Sequence, residues 1–286
     1  MFAIAGVSGN TGAVVADTLL TAGAPVRVIV RDAAKGERWR ARGAEVAVAA
    51  LDDVPALTAA LRGAAGAYLL LPPRPTSTEP AVEQRVVATA IAAAVAAARV
   101  PHVALLSSIG AQHVAGTGPI AALHHAEAAL APVTALTAVR AAYFQENWGA
   151  ALGQLDAGVV PTFVPADLRL AMVATRDIGA VAAAALLEGP RGDQRLELSG
   201  PRDYTSHDVA AALSTITGRT ITAAEAPLDA VVPVFTSFGL SAAIGAQYRE
   251  MYDGLARGHV AWAGGAARAV RGKVELVDTL RALLTR

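Results

Sequence analysis

The chain opens on a short apolar run, Phe2–Ala5, and five similar runs follow at Val26–Val30, Glu45–Val48, Ala67–Leu71, Val103–Leu106 and Thr134–Val139. Their Val, Ile and Leu content and their length predict strands. Between them lie stretches with helical spacing: Thr11–Ala22, Ala34–Arg42, Val54–Arg62, Glu79–Arg99 and Ile120–Ala131. Strands and helices in strict alternation mean repeated βαβ units, which place helices on both faces of a parallel sheet. Right-handed crossovers then leave a doubly wound α/β fold as the simplest topology.

Past Val139 the rhythm loosens. Helical spacing returns at Arg176–Leu187 and Ser206–Thr217, and strand-like pieces at Thr162–Val164 and Arg195–Leu198 lie among Gly/Pro turns. This pattern predicts a dinucleotide-binding domain over residues 1–154, with 176–190 packing back on it. Residues 155–175 and 195–265 are expected to form a smaller substrate-binding cap.

Composition narrows the classes. Among 286 residues, 24 basic and 24 acidic side chains cancel, and there is no cysteine. A neutral chain offers no electrostatic footprint for nucleic acid or an anionic membrane. Without cysteine there is no disulfide, thiolate metal site or cysteine nucleophile. The longest uncharged apolar stretch, Val86–Ala98, falls short of the ~20 residues that a spanning helix needs, and the N-terminus lacks a basic leader. A cytoplasmic monomer or homodimer acting on a small molecule is the expectation.

The first strand runs into Gly6-Val7-Ser8-Gly9-Asn10-Thr11-Gly12 and then a helix. Glycines in that setting make the sharp turn, admit a pyrophosphate close to the backbone and let helix and strand pack closely. The helix N-terminus offers unpaired N–H groups to the phosphates. Gly6, Ser8, Gly9, Asn10, Thr11 and Gly12 are therefore the candidate pyrophosphate contacts.

The second strand ends in Arg31, with Lys35 close behind, where an NAD binder carries an acidic residue for the ribose. An arginine there fits a 2′-phosphate, so NADP(H) is the expected cofactor. Asp32 is the one feature that suits NAD instead. Asp52, Leu71 and Pro72, at the ends of the third and fourth strands, complete the expected cofactor contacts.

Together with Leu105-Leu106-Ser107-Ser108-Ile109-Gly110, Val139-Arg140-Ala141-Ala142-Tyr143-Phe144-Gln145-Glu146-Asn147 and Met172-Val173-Ala174-Thr175-Arg176-Asp177-Ile178-Gly179, these residues resemble the NmrA-like family of atypical short-chain dehydrogenases/reductases over essentially the whole chain. The resemblance implies an NADPH-dependent quinone reductase, or a protein that binds the dinucleotide and regulates a partner without turnover. The chain departs from ordinary short-chain reductases by having neither tyrosine nor lysine between Ile109 and Val133. Ala121 and His125 fall where their catalytic Tyr-x-x-x-Lys pair would stand, which excludes carbonyl reduction by that pair.

Hydride transfer to a quinone, another conjugated acceptor or an imine does not require it. Ser107, His125 and Tyr143 are the catalytic candidates; Ser107 and His125 are also expected to touch the cofactor. Tyr143, Phe144, Asn147, Trp148, Phe235 and Phe238 are the expected substrate contacts, although the cap aromatics fit a small hydrophobic core equally well. His124-His125 with Glu127 has no metal-ligand spacing, and no metal is expected.

Overall fold

The computed structural model describes residues 1–285. The first half runs β1 (Phe2–Ala5), α1 (Asn10–Thr21), β2 (Val26–Val30), α2 (Glu37–Arg40), β3 (Glu45–Val48), α3 (Val54–Leu61), β4 (Gly66–Leu69), α4 (Pro80–Ala98), β5 (His102–Ser108), α5 (Ala121–Leu130) and β6 (Ala135–Ala141). The rest comprises β7 (Tyr143–Phe144), β8 (Val159–Thr162), β9 (Leu170–Val173), α6 (Thr175–Glu188), β10 (Gln194–Ser199), β11 (Asp203–Tyr204), α7 (Ser206–Thr217), β12 (Thr222–Glu225), α8 (Val231–Ser237), α9 (Ala242–Ala256), β13 (Arg268–Arg271) and α10 (Leu276–Leu284).

Eight parallel strands form the central sheet in the order β13-β10-β6-β5-β4-β1-β2-β3. Side chains alternate between its faces. Ala3, Leu69, Leu105 and Ala138 meet α3, α4 and α5 on one side. Ile4, Val28, Tyr68 and Val139 meet α1 and α6 on the other. A third core, built on Trp148, Met172, Leu213 and Leu255, lies under the remaining elements.

Two expectations change. Arg195–Leu198, assigned to the cap, lies within β10 inside the main sheet, in register with Ala138–Ala141 of β6, and β13 adds an eighth strand beside it. Leu196 and Leu198 are fully buried there, but their Gly/Pro surroundings hid the sheet's continuation. The helix expected over 34–42 is a 3-10 turn, Ala33–Gly36, followed by the single turn of α2. Asp32 caps that turn by accepting from the Ala34 N–H at 3.0 Å.

One buried ion pair ties α5 to the sheet. Glu127 of α5 accepts from Arg140 of β6 at 2.9 and 2.7 Å, with both side chains 6% exposed. Ser107, opposite Arg140 in the β5–β6 register, donates to the same carboxylate at 2.6 Å. Removing one partner strands the other charge in the interior. Glu127→Ala is expected to lower the unfolding free energy by about 3–5 kcal/mol, measured by urea denaturation. Asp278→Ala, at an exposed pair with Arg281, should leave the urea midpoint nearly unchanged.

Candidate functional site

The glycine loop is shaped by its backbone. Gly6 has φ +70°, and a Cβ there would sit 2.3 Å from Leu70 Cδ2. A Cβ on Gly12 would lie 2.5 Å from the carbonyl oxygens of Ala5 and Gly6, so only glycine lets α1 press onto β1. Gly9 is different: its nearest obstacle is 3.4 Å away. The fold does not demand glycine at that position, but a group approaching the loop closely does.

Gly9 begins α1 with no side-chain cap, and no acidic residue stands in the first turn. The first N–H groups and the positive helix end are thus open. Thr11, one of the expected contacts, accepts a hydrogen bond from the buried Tyr68 hydroxyl at 2.9 Å, which pins this turn to β4.

A cavity of about 730 Å³ begins here, lined by Gly6 and Ser8, then Arg31 and Asp52, and then Pro72 and the loop to Thr78. Arg31 is exposed on its rim and has no carboxylate partner among the described residues. Asp32, the residue type that would favour NAD, is used locally as a cap. Asp52 is paired with Arg74, whose Nη1 also lies 3.5 Å from Glu83. The loop's far side is tied to the start of α9, where the Ser241 N–H donates to the Pro75 carbonyl at 2.9 Å.

The remaining candidates scatter. Ser107 is 2% exposed and commits its proton to Glu127. It faces the α3–α5 side and does not line the cavity. His125 packs across the helix layer, its Nε2 3.4 Å from Thr89 Oγ1 on α4. His124 is the one that turns toward the loop after β5, donating from Nδ1 to the Ala111 carbonyl at 3.0 Å. Ser107 thus belongs to the Glu127–Arg140 set, and His125 lies between α4 and α5. Lys35 is exposed near Arg31, while Leu71 is half-buried beside Pro72.

Tyr143 and Trp148 form an edge-on pair with centroids 6.3 Å apart. Phe235 joins Phe163, Tyr248 and Tyr252 in a second cluster with neighbouring centroids 4.7–6.5 Å apart. Phe238, 59% exposed, stands outside both clusters, and Asn147 is exposed beside them.

Residues 1–257 match the NmrA-like family. The chain belongs to that family. It is 33% identical over 237 residues to a (4-alkanoyl-5-oxo-2,5-dihydrofuran-3-yl)methyl phosphate reductase of Streptomyces griseus, covering 80% of this chain and 78% of the relative. It is 27% identical over 259 residues to an NAD(P)H azoreductase of Xenophilus azovorans, covering 88% and 86%. The NADPH complex of an NADPH-dependent quinone oxidoreductase from Escherichia coli has the same fold, with TM-score 0.77 at 24% identity over 99% and 100% of the two chains.

In this NmrA-like chain the two recognisable downstream motifs hold each other. Glu146 accepts from the Thr175 N–H at 2.9 and 3.0 Å and from its hydroxyl at 2.6 Å, capping α6. Asp177 accepts from the N–H groups of Lys273 and Val274, both at 2.9 Å. Gly179 lets α6 meet α1, because a Cβ there would be 2.5 Å from Val14 Cβ. Sequence reading missed Arg74, Tyr68 and the Glu127–Arg140 pair. A signal existed only for Arg74, as the lone charge in the proline-rich loop.

Burial pushes all five tyrosine phenols above their usual range. Tyr204, raised further by its hydrogen bond to Glu275, reaches about 12. Unfolded phenols ionise near pH ~10, while the native ones keep their protons. The native state therefore loses stability as the pH climbs past that value toward the raised native ones. Melting temperature against pH should show no tyrosine-linked loss below about pH 10 and fall above it. Phenolate absorbance should grow in only with unfolding; phenolate appearing in the folded protein near pH ~10 would contradict this.

Proposed function

We propose that this chain is an NADPH-dependent reductase of small conjugated acceptors, quinone-like or azo compounds and unsaturated carbonyls foremost, with cyclic imines as a further class. The observation that carries the reading is the cavity's charge pattern. It runs from Gly6 and Ser8 of the glycine loop to an unpaired Arg31, while the one carboxylate that would favour NAD is spent as a cap. A guanidinium without a carboxylate is matched by a phosphate. The names of the relatives point the same way: an azo reductase, a reductase of an alkanoyl-oxo-dihydrofuran and a quinone oxidoreductase complexed with NADPH.

Gly6, Ser8, Gly9, Asn10, Thr11 and Gly12 would hold the pyrophosphate and Arg31 the 2′-phosphate, with Lys35 close by. Asp52, Leu71 and Pro72 would flank the adenosine and nicotinamide ends. When bound, the reduced nicotinamide supplies the hydride; the chain's own share is to place an acceptor against it and to exclude water. Acceptors that delocalise the incoming charge suit a site without the Tyr-x-x-x-Lys pair. Of the three catalytic candidates only Tyr143 keeps a role, as a neutral hydroxyl that burial holds protonated. Phe144 and Phe235 would supply the apolar wall on which a flat acceptor stacks, while Trp148, expected as a third contact, is buried in the core with its N–H on Met172 Sδ.

Two measurements test this. The purified chain should oxidise NADPH saturably with quinones, azo dyes or enones and do so far less well with NADH. Tight NADPH binding without turnover on any of them would make the chain a redox sensor that reports to a protein partner. Arg31→Glu should weaken NADPH binding roughly tenfold or more, since a charge-assisted hydrogen bond contributes about 1.5–3 kcal/mol, and should leave NADH binding nearly unchanged. Equal losses would remove Arg31 from the phosphate.

A further inference from the structure

The loop between β4 and α4 has little backbone bonding of its own. Residues 72–78 belong to no helix or strand, and Pro72, Pro73 and Pro75 have no N–H to donate. Side chains around the loop tie it down instead. Gln84 of α4 donates to the Pro72 carbonyl at 2.9 Å, and the Ser77 hydroxyl donates to Glu83 at 2.6 Å. On the far side the Ser241 N–H and hydroxyl bond to the Pro75 and Ser77 carbonyls.

Arg74 is the one charged residue in this loop. It pairs with Asp52, just before α3, and its Nη1 lies 3.5 Å from Glu83. The strands that precede Asp52 and Arg74 are not neighbours, because β1 and β2 lie between β3 and β4. At ordinary strand spacing that separation is about 14 Å. Gly6 and Arg31, which follow the two intervening strands, line the same cavity as Asp52 and Arg74. Arg74 thus fastens one wall of the cavity to another.

The fastening is weak by construction. The Glu127–Arg140 pair is 6% exposed and holds the fold permanently, whereas Arg74 and Asp52 are 36% and 38% exposed. A pair so open to water and salt stabilises little. Segments that open at a ligand site in every cycle are drawn from such weakly held parts of a structure.

We propose that Arg74 is a positioning residue whose pairing with Asp52 clasps the 72–78 loop shut along the cavity, and that opening this clasp sets how fast the dinucleotide enters and leaves. The proposal rests on the NADPH reading above. Asp52 and Arg74 are each other's partners, so the clasp needs no atom of the dinucleotide to close. Undoing it lowers the barrier to entry and to departure alike.

Stopped-flow fluorescence with NADPH reads both rates, entry from the concentration dependence and departure from displacement by excess NADP+. Arg74→Gln should raise both rate constants roughly threefold to fivefold and leave Kd within about twofold, with the melting temperature of the free chain unchanged. Arg74→Lys, which keeps the charge, should restore most of the original rates. Glu83→Gln loosens Arg74 from α4 only; it should move both rates the same way by less, and it serves where Arg74→Gln does not fold. Faster departure with unchanged entry would make Arg74 a direct contact of the dinucleotide and overturn the clasp, as would unchanged rates in both variants. If the unaltered chain does not bind NADPH, the NADPH reading itself has failed. If it binds and either of those two results is found, only the clasp has failed.

Discussion

The first turn of α1 is pressed directly onto strand backbone, and the site depends on that contact. Gly12 lies against the carbonyls of Ala5 and Gly6, and Gly179 against the Val14 side chain, so the helix packs closely on both β1 and α6. Interiors this tight do not yield to an added methyl group without backbone movement. The helix axis is therefore fixed, and its N-terminus, without a side-chain cap, follows directly on the glycine loop whose Gly6 and Ser8 line the cavity. Tyr68 secures the same turn through Thr11. The chemistry expected of the loop follows from this packing rather than from any reactive side chain.

Charge is distributed by the same economy. In a chain with 22 arginines and two lysines, the presence of an arginine says little; what it is paired with says more. Arg140 is neutralised inside the protein by Glu127, whose carboxylate also takes the Ser107 hydroxyl and lies 3.9 Å from Arg195 Nε. Arg74 is divided between Asp52 and Glu83. Arg31, which lines the cavity, has no carboxylate partner among the described residues and is free to meet an anion there.

The parts that were legible in the sequence were those written in local backbone rules. The strand–glycine–helix step and the first six strands depend on neighbours within a few residues. The parts that were not depend on partners far along the chain. Adjacent serines at the end of β5 point to opposite faces of the sheet, and only Glu127, twenty residues on, decides that Ser107 is structural. His125 occupies the sequence position of the lysine of ordinary short-chain reductases, but its Nε2 is 3.4 Å from Thr89 on the neighbouring helix. The family motifs at 139–147 and 172–179 read as site residues, yet much of their chemistry is spent on holding α6 and the last strand. β10 reads as a cap strand until its register with β6 is seen.

The central claim is that this cavity holds NADPH and that an acceptor takes hydride from it. A single-turnover reaction tests it most directly: the chain is loaded with NADPH carrying deuterium at the transferring position and mixed with a quinone. The account predicts loss of the nicotinamide absorbance within one turnover, slower for the deuterated cofactor than for the ordinary one. Cofactor that stays bound and reduced in the presence of excess acceptor would contradict it.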